Sequence, residues 1–320
     1  MKVLLASPID PTAVAVLEQR YDVRKTHKPA HAELKDAIAD RETVVLRSGV
    51  VITADMMESA GDLRLILRAG SGVDNIDLVS ARHREIRVVR IPGMSAPPVA
   101  EFTFALMLSI ARKVTLADRL LRQGRWPKPQ LGGPLLTGKT LGIIGAGNIG
   151  SLVGQMGAAW GMNVLGSVAA PGEKVREALR CRGITLADNE RVLTEADFLC
   201  LHVPLDETTR HMIGRDELSR MRPGSILVDV ARGGVVDESA LYDALSSGST
   251  LAGAALDVHE VEGEGTVSPL AELDNVVLTP HIGAMALDSQ RLIGDRVIQL
   301  LDAYHRGCLD AEVRGGEHVV

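Results

Sequence analysis

Short runs of branched apolar residues recur along this chain, separated by stretches whose apolar positions repeat every three or four residues. In the first hundred residues, runs at 3–6, 44–46, 65–68 and 88–91 predict strands. The periodic stretches 11–20, 32–40 and 54–60 predict the helices between them. From Lys139 a second series predicts strands at 140–144, 163–166, 198–201, 226–230, 251–255 and 276–278, then a closing helix over 288–305. Strands alternating with helices imply parallel sheets covered on both faces.

Between the two series, residues 97–126 read as one long apolar helix. Prolines open it, and Pro127, Pro129, Gly132, Gly133 and Pro134 end it. Such a helix is either a dimer contact or a core helix of its own domain. The expected fold is α/β, with two Rossmann-like doubly wound parallel-sheet domains and an interdomain cleft. Residues 1–98 and 290–320 would form a flavodoxin-like substrate domain, to which the closing helix returns. Residues 99–289 would form the dinucleotide-binding Rossmann domain.

Composition narrows the partners. A chain of 320 residues can bury two cores. Aromatics at 2% leave few platforms for base stacking, and a net charge of -6 disfavours a phosphate-backbone binder, so no nucleic acid is expected. Cys181, Cys200 and Cys308 lack metal-type spacing and read as reduced thiols of a cytoplasmic protein, with no metal site expected. The opening "MKVLLASPID" is too short an apolar run for a signal-peptide core. The longest apolar stretch, 102–111, is about half a membrane span, so no membrane partner is expected.

The stretch "LGIIGAGNIG" at 141–150 carries Gly145, Gly147 and Gly150 in G-x-G-x-x-G spacing, after a strand and before a helix. The first glycine allows a tight turn, the second lets backbone approach a pyrophosphate, and the third permits close helix–strand packing. Asn148 and Ile149 would open the helix with free amides for the phosphates. An acid should close the next strand, about 20 residues on, to bind the ribose of NAD. That strand end reads Gly166-Ser167-Val168-Ala169 instead. Without the carboxylate a 2′-phosphate is not repelled, and the nearest cations are Lys174 and Arg176; Ser167 could donate to either form. The cofactor is NAD or NADP, with a slight preference for NADP or for use of both.

Three further stretches follow strands of the second series: "VDVARGGVVDESAL" (228–241), "ALDVHEVEG" (255–263) and "LTPHIGA" (278–284). Ligands of open α/β sheets bind at such strand ends. Arg232 suits a bidentate grip on a substrate carboxylate, and His281 suits proton exchange with a hydroxyl or carbonyl oxygen. Glu262 would orient that imidazole and favour its charged form. Singly, each has a plain reading: a surface charge, an acidic loop, a core histidine. Together, behind a dinucleotide loop, they form a set for hydride exchange at the C2 carbon of a 2-hydroxy acid.

With these stretches, "RAGSGVDNID" (68–77), "LHVPLDETTRHMIG" (201–214) and "MRPGSILVDVARGGVVDESAL" (221–241), the chain resembles the D-isomer-specific 2-hydroxyacid dehydrogenases over about residues 3–309. It looks closest to their D-3-phosphoglycerate dehydrogenase members. The resemblance implies Arg232, Glu262 and His281 as the catalytic trio. Glu262, not Glu260, fits the family's Asp-Val-Phe-x-x-Glu pattern. It further implies cofactor contacts at Val168, Val203, Pro204, Thr209, Val230, Ala231, Asp257 and Ala284, besides the glycine loop and Ser167. Substrate contacts are implied at Ser71, Gly72 and Met94, with Arg68 facing a second anionic group.

The chain departs from the family's habits at several places. Val168 replaces the usual Asp, Arg90 an Asn, Met94-Ser95 a Gly-Asn, His259 a Phe and Gly263 a Pro. It ends where many phosphoglycerate dehydrogenases continue into regulatory domains, so serine feedback through such a domain is not expected. The expected protein is a homodimeric NAD(P)-dependent D-2-hydroxyacid dehydrogenase or 2-oxoacid reductase. Its small substrate would be doubly anionic, like 3-phosphoglycerate or a phosphono- or sulfo-analogue of pyruvate. The alternatives are a glyoxylate or hydroxypyruvate reductase, and a dinucleotide-sensing corepressor-like interaction protein.

Overall fold

Twelve strands form two separate parallel sheets in the computed structural model, which describes residues 1–26, 30–248 and 250–320. The chain divides into two compact units, Met1–Ser95 with Ala284–Val320, and Ala96–Gly283.

The first unit holds β1 (Lys2–Leu5), β2 (Asp22–Lys25), β3 (Thr43–Leu46), β4 (Leu65–Arg68) and β5 (Arg87–Arg90). Their order, β2-β1-β3-β4-β5, is the flavodoxin-like arrangement. Helix Pro11–Arg20 starts where the Asp10 carboxylate accepts the amides of Thr12 and Ala13. The closing helix Leu287–His305 packs on it, and Gly294 permits the approach: a Cβ there would stand 2.8 Å from the Ala13 Cβ. The last residues run along β5, with Val319 N–H donating to Val88 O (3.0 Å) and Arg90 N–H to Glu317 O (2.8 Å). An otherwise open sheet edge is thereby covered.

The second unit holds β6 (Thr140–Ile144), β7 (Asn163–Ser167), β8 (Ile184–Leu186), β9 (Phe198–Leu201), β10 (Ile226–Asp229), β11 (Gly253–Leu256) and β12 (Val276–Leu278). Spatially they run β8-β7-β6-β9-β10-β11-β12. Strand order reverses between β6 and β9, and open α/β sheets bind ligands outside the carboxyl ends of strands at such a switch point.

The single helix expected over 97–126 is two, Ala96–Ala111 and Val114–Arg122. Lys113, at φ 52°, turns the chain between them. The segment after the second helix crosses back onto this break. Lys113 Nζ donates to Gln130 O (3.0 Å), and a Cβ at Gly133 would lie 1.8 Å from Ala111 O. A tertiary contact therefore ends the first helix, at residues with no local breaker. No described helix is long and apolar enough to cross a membrane.

Candidate active site

The glycine loop leaves β6 at Gly145, whose φ of 93° is left-handed and whose Cβ would meet His202 O of the neighbouring strand end at 2.8 Å. Gly150 lies in the first turn of the helix that follows, where a Cβ would come 2.4 Å from Gly145 O. Gly147 differs, since nothing lies within 4 Å of its Cβ position. Asn148 and Ile149 open helix Asn148–Ala159, ahead of its first intrahelical bond, Ser151 N to Gly147 O. An open glycine beside unpaired first-turn amides is a cradle that fits a pyrophosphate.

Ser167 ends β7 in a buried position, and its carbonyl accepts the amides of Gly145 (3.1 Å) and Ala146 (2.8 Å). Val168 follows, half-buried, and the Arg176 guanidinium is tied to Pro171 O at 3.1 Å in the loop beyond. In the loop after β9, Val203 and Pro204 lead to Thr209, whose hydroxyl donates to Pro204 O (2.7 Å) and accepts Asp206 N–H (2.8 Å).

His281 and Glu262 meet directly. The His281 Nδ1 atom lies 3.0 Å from Glu262 Oε1 and 2.9 Å from Oε2. A carboxylate only accepts, so Nδ1 carries the proton and Nε2 is left for exchange. Partial desolvation raises the Glu262 carboxyl, but the hydrogen bond and charge of His281 outweigh it and hold the group below its ordinary range. His281 itself sits at φ 56°, a left-handed conformation that costs a residue with a Cβ on the order of 1–3 kcal/mol.

Asp257, at the end of β11, holds the histidine loop in that shape. Its Oδ1 accepts the Thr279 hydroxyl (2.7 Å) and Ile282 N–H (2.9 Å), and its Oδ2 accepts Gly283 N–H (2.7 Å). Asp257 is thus a buried brace. Arg232 follows β10 beyond Val230 and Ala231, its Nη1 donating to Ala231 O at 2.7 Å. It joins the other two through the next residue: a Cβ at Gly233 would lie 1.8 Å from His259 O, and His259 N–H donates to Glu262 Oε1 at 3.3 Å.

The other expected substrate residues lie in the first unit. Arg68 ends β4 and is only 6% exposed, with its guanidinium folded over the Gly70 position. Ser71 Oγ is 2.9 Å from Ser95 Oγ, and Arg90 bridges Ser71 O (3.3 Å) and Gly316 O (2.8 Å). Gly72 follows Ser71, and Met94 packs against the apolar cluster of β1 and β4. Ala284 opens the return segment, its carbonyl accepting Gln290 Nε2 at 2.6 Å. Among the described residues no His, Cys, Asp and Glu cluster could hold a metal.

Residues 104–283 match the sequence profile of the D-isomer specific 2-hydroxyacid dehydrogenase NAD binding domain. The chain belongs to the D-isomer-specific 2-hydroxyacid dehydrogenase family. Over 98% of its length it is 41% identical to D-3-phosphoglycerate dehydrogenase of Methanocaldococcus jannaschii, and it spans 59% of that protein. Over 93% of its length it is 40% identical to hydroxypyruvate reductase of Thermotoga maritima, covering 96% of that chain. The structure of D-lactate dehydrogenase from Aquifex aeolicus with NAD and lactic acid aligns at a TM-score of 0.88 and 28% identity, over 100% of this chain and 99% of that one.

In this 2-hydroxyacid dehydrogenase family member, the surroundings of three polar residues near the site emerge only from the folded structure. Both ring nitrogens of His202 are buried without a hydrogen-bond partner, and burial pushes its pKa down to about 3, leaving a neutral imidazole beside the glycine loop. Burial raises Asp229, at the end of β10, to about 8 although it accepts the Ala231 amide at 2.8 Å. His259 directs its ring Nε2 at Thr279 O, 2.9 Å away. The sequence signal common to all three is position, at or just past a strand end.

Proposed function

We propose that this chain is an NAD(P)-dependent D-2-hydroxyacid dehydrogenase that also runs as a 2-oxoacid reductase. The observation that carries the reading is the Glu262–His281 pair, set at strand ends beside Arg232 and behind an open glycine loop. When bound, the nicotinamide supplies hydride transfer to and from C2 of the substrate. His281 Nε2 gives a proton to the carbonyl oxygen during reduction and takes one from the hydroxyl during oxidation. Glu262 keeps the proton on Nδ1 and stabilises the imidazolium. Arg232 grips the substrate carboxylate with two parallel N–H donors and sets C2 against the reacting groups.

A small doubly anionic substrate, resembling 3-phosphoglycerate or a phosphono- or sulfo-pyruvate, is the first candidate, with Arg68 as the contact for the second anion. Glyoxylate or hydroxypyruvate is the second, favoured by the inward fold of Arg68 and by the hydroxypyruvate reductase that the chain matches over 96% of its length. Absence of an acid at Val168 supports use of NADP beside NAD. A homodimer in the cytoplasm belongs to the same reading, supported by Val114 and Leu121, which helix Val114–Arg122 exposes.

One assay tests the whole reading: reduced-nicotinamide absorbance with a panel of 2-oxo acids, using NADH and NADPH separately. Turnover of at least one acid is expected, and Arg68→Ala should raise KM only for acids with a second anion. Val168→Asp should move preference toward NADH. A chain inert toward every acid with both cofactors overturns the proposal.

A further inference from the structure

Glu262 and His281 lie on two loops that apolar burial does little to fix. Residues 260–267 are exposed and irregular, with Val261 68% and Val267 80% exposed. Glu262 must therefore be held by polar ties. The histidine loop is strained at His281 and is kept in place by the Asp257 bonds described above.

His259 touches all three arms of the site. Its carbonyl packs against Gly233, leaving no room for a Cβ beside Arg232. Its backbone N–H reaches Glu262 Oε1 at 3.3 Å. Its ring Nε2 meets Thr279 O at 2.9 Å, and that carbonyl also receives the His281 amide at 3.1 Å. The other ring nitrogen, Nδ1, is buried and faces Glu238 Oε1 at 3.9 Å. Glu238 is itself held, accepting Glu260 N–H (2.7 Å) and the Ser268 hydroxyl (2.8 Å). The His259 ring thus spans from a fixed buried carboxylate to the loop that carries His281.

We propose that His259 is a positioning residue: its backbone and ring N–H groups hold the Glu262 loop and the Thr279–His281 loop together so that the Glu262–His281 pair stays closed. The inference rests on the reading of Arg232, Glu262 and His281 as the reacting set. A carbonyl only accepts, so His259 carries its proton on Nε2, while His281 carries its own on Nδ1. The two histidines are opposite tautomers.

Long-range proton–nitrogen NMR of the wild-type imidazoles at pH 8 reads this directly. Nε2–H on His259 with Nδ1–H on His281 is the expected result. If His259 bears only Nδ1–H, the tie to Thr279 is absent and the proposal falls. If His281 lacks Nδ1–H, the catalytic reading fails instead. His259→Phe keeps the ring volume and removes the donor, whereas His259→Gln keeps a donor near the Nε2 position. With hydroxypyruvate as probe, His259→Phe should lower kcat about tenfold with KM within about twofold, and His259→Gln should recover most of the loss. In the Phe variant the His281 nitrogens should also report mixed tautomers. Wild-type kcat and an unchanged His281 spectrum in that variant, or equal losses in both variants, would overturn the role of the ring donor. Loss of turnover in His281→Ala alongside an unaffected His259→Phe would leave the catalytic reading standing and remove only this one.

Discussion

Both carboxylate oxygens of Glu262 stand within hydrogen-bond reach of one atom of His281, Nδ1, at 3.0 and 2.9 Å. A symmetric approach of this kind orients the ring and leaves Nε2 as the nitrogen for the proton exchange proposed above. His281→Ala should cut kcat by about 10²–10⁴-fold while dinucleotide affinity, read by fluorescence titration, stays near wild type. Glu262→Gln should cost less, about ten- to a hundredfold. The His281 partner keeps Glu262 ionised below its ordinary range despite partial desolvation, so the pair is lost only as pH falls through that lowered value. An acid limb in wild-type kcat at pH 5 or above should therefore persist in Glu262→Gln.

The glycines of the dinucleotide loop should separate by phenotype. Gly150→Ala drives a Cβ to 2.4 Å from Gly145 O and should destabilise the fold by about 1–3 kcal/mol. Gly147→Ala meets nothing within 4 Å, so it should leave the melting temperature nearly unchanged and weaken dinucleotide binding. Parallel thermal melts and cofactor titrations check the contrast; equal effects on both properties would contradict it.

Gly233→Ala should be among the most damaging substitutions near the site. The new Cβ would sit 1.8 Å from the His259 carbonyl, so backbone must move on one side or the other. A loss of about 3 kcal/mol or more in urea denaturation is expected, with kcat reduced in whatever protein remains folded.

Asp229 makes stability depend on pH. Its carboxyl is raised by burial to about 8, whereas the unfolded group ionises near ~3.9. Between these values the native state keeps a proton that the unfolded state has lost, so stability falls as pH rises, by about 1.4 kcal/mol per unit. Asp229→Asn keeps an oxygen for the Ala231 amide and should remove this decline. Urea midpoints at pH 5, 6.5 and 8 for both proteins decide the matter: parallel curves would show that Asp229 is ionised in the fold.

In the first unit, Arg296 is 1% exposed and donates Nε (2.9 Å) and Nη2 (2.7 Å) to the two oxygens of Glu317. Burial alone would raise Glu317, but these bonds and the Arg314 amide hold it below its ordinary range. Its contribution is present above the unfolded carboxyl value and is lost as pH falls through the lower folded one. Glu317→Ala leaves a buried guanidinium short of a partner and should cost about 3–5 kcal/mol by chemical denaturation. It should also loosen the segment along β5, seen as faster amide exchange at Arg90.

Interior strands were legible because they are buried on both faces and therefore read as continuous apolar runs. Leu65–Arg68, Phe198–Leu201 and Ile226–Asp229 stand where the pattern puts them. The two strands that escaped it, β2 and β8, are both edges. Asp22–Lys25 has no fully buried position, and Ile184–Leu186 is three residues long with one. An edge strand takes its pairing from one neighbour and shows little of its own burial in the sequence. The break at Lys113 was equally hidden, because it depends on Gly133 arriving against Ala111 from 22 residues along the chain.

Taken alone, the sequence carried the resemblance to the family, the parallel α/β class, the glycine loop and the Arg, Glu and His set proposed above as the reacting groups. The class, the glycine loop and the candidate set follow from residue type and local spacing, which fix hydrogen-bonding capacity and hydrophobic period. Tertiary structure alone decided that Glu262 pairs with Nδ1, that Asp257 braces the histidine loop, that His259 spans the two loops, and that burial pushes Asp229 up and His202 down. Those properties are set by desolvation and by distances between segments remote in the chain, and neither quantity is written in a run of neighbouring residues.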